Sequence, residues 1–92
     1  MTAKQLRIAG LVQGVGYRDW MVHAATRLGV AGWVRNRGDG TVEAFVQGDT
    51  AAVEELLRLC RRGPPGAGVT LIHEDLAEPD DAEIFERKPT LP

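Results

Sequence analysis

Side chains of two sets alternate along three stretches of the chain, so that every second residue belongs to the same set. These stretches are residues 4–12, 30–36 and 41–47. In the first stretch, Leu6, Ile8, Gly10 and Val12 alternate with Gln5, Arg7, Ala9 and Leu11. Successive side chains of a strand point to opposite faces, so each stretch predicts a strand with one buried face. The alternation resumes at residues 69–74, which predicts a fourth strand.

A helical period follows the first strand. From Tyr17 onward, apolar residues recur at intervals of three and four, namely Trp20 or Met21, Ala24 or Ala25, and Leu28. This spacing predicts an amphipathic helix that starts at Arg18, and Gly29 supplies its C-terminal stop. Both Trp20 and Trp33 are expected to pack in the core or at an edge rather than to stack on bases.

A second helix is predicted from Asp49 or Thr50, either of which can cap it, to about Arg61. Its buried stripe consists of Val53, Leu56, Leu57 and Cys60. The sequence Gly63-Pro64-Pro65 then ends the helix. A catalytic thiol is one interpretation of Cys60, but its place in this stripe favours a small buried hydrophobe.

The segment Arg37-Gly38-Asp39-Gly40 separates two predicted strands, and its Asp-Gly pair favours a hairpin between antiparallel neighbours. The element order is then strand, helix, strand, strand, helix, strand. This order predicts an α+β, ferredoxin-like βαββαβ sandwich with two helices on one face of an antiparallel sheet. The other face is left for solvent or a partner, and a short piece at residues 84–86 is expected at the sheet edge. Residues 1–92 are expected to form one domain.

The amino-acid composition restricts the classes of function that this protein can have. Hydrophobic residues make up 43% of the chain and charged residues 26%, which is ordinary for a soluble globular protein. No apolar run suits a secretory signal or a membrane span, and the single cysteine fits a reducing compartment, so a cytoplasmic location is predicted. His23 and His73 have no companions at metal-ligand spacing, so neither a metal site nor a cofactor is predicted.

The net charge of −2 is unevenly distributed. Residues 74–86 hold seven acidic and no basic side chains, whereas residues 1–73 carry nine basic and six acidic ones. The acidic block lacks the glycine and spacing of a calcium loop, so it is expected to solubilise a turn and an edge strand. Residues 1–73 therefore carry a small positive net charge, which suits the binding of a small anion.

The segment Gly10–Arg18, GLVQGVGYR, joins the first strand to the first helix and is the strongest functional candidate. Gly14 and Gly16 can adopt positive φ at no steric cost, so consecutive backbone N–H groups can point inward as an anion-binding nest. The helix N-terminus adds partial positive charge, and Arg18 adds a planar fork of donors that matches two phosphate oxygens. Simple chain reversal and a solvated arginine are the alternative interpretations.

A family resemblance favours the functional interpretation. GLVQGVGYR resembles the signature of the acylphosphatase family, and Gly32-Trp33-Val34-Arg35-Asn36 with Asp39-Gly40-Thr41-Val42-Glu43 resembles its second signature. The similarity continues through Leu28-Gly29 and residues 63–67, so it covers nearly the whole chain. Departures are small: Tyr17 stands where phenylalanine is commoner, and Asp49 where proline is frequent.

The resemblance implies a metal-independent hydrolase that cleaves the carboxyl–phosphoryl bond of acyl phosphates. The implied catalytic residues are Arg18 and Asn36. The implied phosphate-binding residues are Gln13, Gly14, Val15, Gly16, Tyr17 and Arg18. Asn36, which by itself would suggest a turn residue, is expected to position the attacking water. The implied partners are a small acyl phosphate and inorganic phosphate, with no nucleic acid or membrane, and a monomer is expected.

A nonenzymatic binding module is the alternative, because ferredoxin-like folds also serve as RNA-binding and metal-carrying domains. An RNA-binding version would carry several aromatic and basic residues on the central strand, where residues 41–47 have only Phe45 and an acid, Glu43. A soft-metal carrier would place two cysteines in the first loop, which has none. The alternative is thus a regulatory anion sensor that uses the same loop.

Overall fold

The computed structural model describes all 92 residues, Met1 to Pro92. The elements follow in the order β1 (Thr2–Leu11), α1 (Tyr17–Leu28), β2 (Ala31–Asn36), β3 (Val42–Gly48), α2 (Thr50–Cys60), β4 (Gly68–Leu76) and β5 (Phe85–Arg87). The predicted βαββαβ order is confirmed, and the short edge strand lies one residue beyond its predicted position. Neither helix combines the length and the apolar composition needed to cross a lipid bilayer.

The five strands form one sheet in the order β4-β1-β3-β2-β5. The pairs β1–β3, β1–β4 and β2–β3 are antiparallel, as predicted, whereas β5 pairs parallel with β2. The prediction of a wholly antiparallel sheet is therefore wrong at this edge. The connection from β4 crosses to the opposite edge of the sheet and starts β5 at the end where β2 also starts, so the two strands run in the same direction.

This topology brings three strand ends together. Strands β1, β2 and β5 share one direction, because β1 and β2 are both antiparallel to β3 and β5 is parallel to β2. Their carboxyl ends therefore lie at the same edge of the sheet. The loop after β1 leads at that edge into α1, so the helix begins beside the ends of all three strands.

The core lies between the sheet and the two helices. The strands contribute the buried side chains Leu6, Ile8, Val34, Val42, Ala44, Val46 and Phe85. The helices contribute Tyr17, Met21, Ala24, Ala25, Val53, Leu56, Leu57 and Cys60. The predicted stripe of the second helix is confirmed, and its cysteine is fully buried. Burial of this apolar surface is the main stabilising contribution to the fold.

The helix ends differ slightly from the predictions. Helix α1 begins at Tyr17, one residue before the predicted start, and Gly29 ends it in the left-handed region with φ 74°. Asp49 occupies the N-cap position of α2 but makes no capping hydrogen bond with its side chain. Instead, the hydroxyl of Thr50 hydrogen-bonds the hydroxyl of Thr2 at 2.7 Å, which ties the start of α2 to β1.

The sheet face opposite the helices is partly covered by the chain itself, so the prediction that it was left to solvent or a partner is wrong in part. The side chain of Gln47 donates to the carbonyls of Asp80 and Ala82 and accepts from the Asp80 N–H. These bonds hold the β4–β5 connection across the end of that face.

A charged network occupies the same face. Glu43 accepts hydrogen bonds from Arg35 at 2.8 Å, Arg37 at 3.0 Å and Gln5 at 2.9 Å. Burial alone would raise the pKa of Glu43, but the hydrogen bonds and charges of the two arginines outweigh it and lower the pKa below its usual value. The carboxylate therefore stabilises the folded state above its unfolded pKa of roughly 4.3.

Replacing Glu43 with glutamine is expected to lower the free energy of unfolding by about 1–2 kcal/mol at pH 7. The lowered folded-state pKa means that wild-type stability from this group is lost as pH falls below the unfolded value. The variant should therefore lose less stability than wild type between pH 6 and pH 3. Urea unfolding across this range measures both effects, with Glu54→Gln on the exposed side of α2 as the matched control. An unchanged pH slope would contradict the network's role.

Candidate anion-binding site

A pocket of about 200 Å³ lies at the sheet edge where the three strand ends meet. Its walls come from the loop after β1, the first turn of α1 and the ends of β2 and β5. The residues that line it are Val12, Gln13, Gly14, Gly16, Tyr17, Arg18, Asp19, Asn36 and Arg87. The structure thus brings the two predicted catalytic residues, Arg18 and Asn36, into one pocket although they lie on different elements.

The loop backbone has the conformation that an anion nest requires. Gly14 has φ 75° and Gly16 has φ 78°, and no residue other than glycine has positive φ. Gly16 is the N-cap residue of α1, and no side chain caps this helix end. The first intrahelical bond of the helix runs from the Trp20 N–H to the Gly16 carbonyl at 3.1 Å. Amide groups before Trp20 therefore have no helical acceptor and can serve an anion.

Arg18 is held at the pocket by the chain that follows β5. Its Nη1 donates to the Lys88 carbonyl at 3.3 Å, and the Lys88 N–H in turn donates to the Val34 carbonyl at 2.8 Å. Partial burial lowers the pKa of the Arg18 guanidinium, and the charge of Arg87 lowers it further. An arginine nevertheless stays protonated at any ordinary pH, so the pocket keeps its positive charge.

Gln13 fixes the loop to the β2–β3 hairpin. Its Nε2 donates to the carbonyls of Arg37 at 2.8 Å and Thr41 at 2.9 Å. Both amide hydrogens are then engaged, so Gln13 can serve an anion only through its backbone. The hairpin itself is closed by Asp39, whose carboxylate accepts from the Thr41 N–H and hydroxyl.

Asn36 is the last residue of β2, and its position is secured by backbone pairing on both sides. It pairs with Val42 of β3, and its carbonyl accepts from the Leu91 N–H at 2.9 Å. The side chain is therefore carried by a strand rather than by a loose turn. A carboxamide offers both a donor and an acceptor without titrating, which suits it to hold a water.

Two other residues of the predicted loop serve the fold through their side chains. Tyr17 is buried, and its hydroxyl donates to the Cys60 carbonyl at 2.6 Å, which links the start of α1 to the end of α2. Val15 does not line the pocket, and its side chain packs against the core. Tyr17 and Val15 can therefore contact an anion only through their backbone amides.

Sequence reasoning missed two charged residues of the pocket, Asp19 and Arg87. The Arg87 Nη1 donates to Asp19 Oδ1 at 2.7 Å, and this bond lowers the pKa of the Asp19 carboxyl. Asp19 follows Arg18 directly, so its place in the first helical turn could have marked it. Arg87 had no such signal, because its position depends on a parallel pairing that the sequence did not reveal.

Cys60 lies outside the pocket. It is fully buried between the helices and the sheet, and this burial raises the pKa of its thiol to about 12. A thiol in that state is protonated at neutral pH and is a poor nucleophile. The alternative of a catalytic thiol is therefore not supported.

Comparison with known proteins identifies relatives along almost the whole chain. The family model for acylphosphatase matches residues 4–87. The acylphosphatase of Acidiphilium cryptum is 62% identical over 90 residues, which are 98% of this chain and 99% of the relative. The acylphosphatase of Rhodospirillum rubrum is 52% identical over 86 residues, with 94% of each chain covered.

A solved structure agrees with the sequence relatives. The crystal structure of the acylphosphatase from Bacillus subtilis superposes with a TM-score of 0.93 at 30% sequence identity. The match covers 96% of this chain and 99% of that one. The structural comparison and the sequence comparisons therefore identify the same family.

The bridge made by Gln13 leads to a prediction at this site. Replacing Gln13 with alanine removes one of the two hydrogen bonds that each of the Arg37 and Thr41 carbonyls accepts, and it frees the loop. We expect the inhibition constant for inorganic phosphate to rise about tenfold and the free energy of unfolding to fall by about 1–2 kcal/mol. Inhibition kinetics and urea unfolding measure the two effects.

The matched control is Thr50→Val, which removes the hydrogen bond to Thr2 at the amino end of β1, away from the pocket. It should reduce stability without changing phosphate inhibition. Equal phosphate inhibition in both variants would show that the Gln13 bridge does not order the loop.

Proposed function

The chain belongs to the acylphosphatase family and hydrolyses the carboxyl–phosphoryl bond of acyl phosphates, and we propose that the pocket at the start of α1 is where it does so. Arg18 and the backbone amides of residues 13–18 hold the phosphoryl group, and Asn36 positions the attacking water. The observation that carries this proposal is the uncapped N-terminus of α1, which opens into a pocket shared by Arg18 and Asn36.

The phosphoryl group needs compensation for its negative charge, and the pocket supplies it from two sources. The α1 N-terminus brings amide donors and the positive end of the helix dipole. Arg18 adds a full charge and a fork that can donate to two phosphoryl oxygens at once. Since these groups are fixed before the substrate arrives, little reorganisation is required when charge develops in the transition state.

The chemical step needs little more than alignment. The water oxygen forms a bond to phosphorus while the bond from phosphorus to the acyl oxygen breaks, and the acyl group leaves as a carboxylate. The conjugate acid of that carboxylate has a pKa of roughly 4, so the group leaves at neutral pH without a general acid. In-line placement of the water by the Asn36 carboxamide is then the remaining task.

We also propose that residues 1–92 act as a single cytoplasmic domain and as a monomer, with no nucleic-acid or membrane partner. The anion loop, Arg18 and Asn36 of a single chain already form the pocket, so the proposed chemistry does not require a second copy. The net charge of −2 gives no excess of basic groups for a phosphate backbone or an anionic surface. The buried, reduced Cys60 is compatible with a reducing compartment.

The proposed mechanism predicts a narrow reaction class. Release of phosphate from a generic acyl phosphate should continue unchanged in excess chelator, because the charge compensation comes from Arg18 and backbone amides. A simple phosphate monoester should react far more slowly, since its alkoxide leaving group needs a general acid. Phosphate release from both substrates, with and without chelator, measures this. Strict dependence on an added metal, or equal rates on the two substrates, would contradict the mechanism.

The two proposed catalytic residues should differ in their kinetic effects. Asn36→Ala leaves Arg18 and the loop amides in place, so phosphate inhibition should stay close to wild type while turnover falls by on the order of 10². Arg18→Lys keeps the charge but loses the fork, so both phosphate binding and turnover should fall severely. Steady-state kinetics with inorganic phosphate as inhibitor separates the two patterns.

Circular dichroism and urea unfolding provide the folding control for both variants. If folded Asn36→Ala loses phosphate binding and turnover in parallel, Asn36 belongs to the phosphate cradle. If it loses neither, Asn36 is a structural residue at the end of β2. Near-normal kinetics of Arg18→Lys would show that Arg18 is only a surface charge.

A further inference from the structure

The pocket contains a second guanidinium that the mechanism above does not use. Arg87, the last residue of β5, lines the pocket together with Arg18. Its backbone pairs in register with Val34 of β2, whose side chain is buried on the helix-facing side of the sheet. The Arg87 side chain therefore extends toward the first turn of α1, where it meets Asp19.

The contact with Asp19 leaves most of the Arg87 guanidinium available. A single hydrogen bond of 2.7 Å joins Arg87 Nη1 to Asp19 Oδ1, whereas a guanidinium carries five N–H donors. The Arg87 side chain is 46% exposed, so the remaining donors are accessible to solutes. An exposed ion pair of this kind is weak and can be rearranged by a competing anion.

Arg18 and Arg87 are close enough to repel each other. The charge of Arg87 disfavours the protonated form of Arg18, and Asp19 offsets this only in part. Two like charges that line one small pocket are stabilised by an anion placed between them, because each then gains a charge-assisted hydrogen-bond partner. The pocket therefore has an arrangement suited to a group with several anionic oxygens.

We propose that Arg87 is a second substrate-binding residue, which donates to the phosphoryl oxygens together with Arg18. This inference rests on the proposed function of the pocket as the phosphoryl site. Asp19 holds Arg87 beside the pocket when no anion is bound, and it competes with the anion for the same guanidinium. Phosphate affinity is thus set by two arginines and moderated by one carboxylate.

A rival explanation is that Arg87 only neutralises Asp19, whose negative charge would otherwise repel the substrate. The two explanations differ once Asp19 has lost its charge. If Arg87 only neutralises Asp19, Arg87→Gln should no longer affect phosphate inhibition once Asp19 is replaced by asparagine. If Arg87 contacts the anion directly, the effect of Arg87→Gln should persist in that background. A double-mutant cycle therefore separates them.

The cycle compares wild type, Arg87→Gln, Asp19→Asn and the double variant, with inorganic phosphate as a competitive inhibitor of acyl phosphate hydrolysis. We expect Arg87→Gln to raise the phosphate inhibition constant about tenfold or more in both backgrounds, as for the loss of a hydrogen bond from a charged donor. An effect of less than twofold in the Asp19→Asn background would overturn the proposal. Arg27→Gln, an exposed change in the last turn of α1, controls for net charge and should stay within twofold of wild type.

Folding and the underlying function are tested separately. Arg87→Lys keeps a cation with fewer donors, so it should give an inhibition constant between those of wild type and Arg87→Gln; equality with wild type would overturn the role of the fork. Urea unfolding confirms that each variant is folded before its kinetics are compared. Loss of phosphate binding in Arg18→Ala with no effect of Arg87→Gln would refute only the second contact. Unchanged kinetics in Arg18→Ala would refute the proposed phosphoryl site itself.

Discussion

The free amides at the N-terminus of α1 are the constraint around which the site is arranged. Backbone N–H groups at a helix start need an acceptor, and no side chain of this protein caps the helix. The loop before it uses two glycines with positive φ, a conformation that is strained for other residues. The chain thus keeps a set of donors uncapped at one place, where an anion can satisfy them.

Contacts with the second helix and with the segment after β5 fix that helix end. The Tyr17 hydroxyl joins the first turn of α1 to the end of α2 through the Cys60 carbonyl. Arg18 is held on its other side by the Lys88 carbonyl, which belongs to the segment that continues β5. The orientation of Arg18 therefore depends on the packing of both helices and on the edge strand.

The polar network on the opposite sheet face also reaches the site. Glu43 binds the guanidinium of Arg37, and the carbonyl of the same residue accepts a hydrogen bond from Gln13. The hairpin is thereby held from one side by an ion pair and from the other by the loop. This continuity gives a physical reason for a buried glutamate in a sheet whose other buried side chains, apart from Gln47, are apolar.

The sequence by itself determined the element order, the apolar faces and the loop from Gly10 to Arg18, because these depend on local periodicity and on residues such as Gly14, Gly16 and Gly29 whose conformational preferences are local. Asn36 was linked to Arg18 through the predicted fold, in which the end of its strand can face the first loop, and through the family resemblance, since no local pattern joins residues 18 positions apart. Tertiary structure alone decided that β5 runs parallel to β2, and hence that Arg87 enters the pocket beside Asp19. The position and direction of β5 depend on how the β4–β5 connection crosses the sheet. That path is set by long-range contacts, which the local sequence of a three-residue strand does not encode.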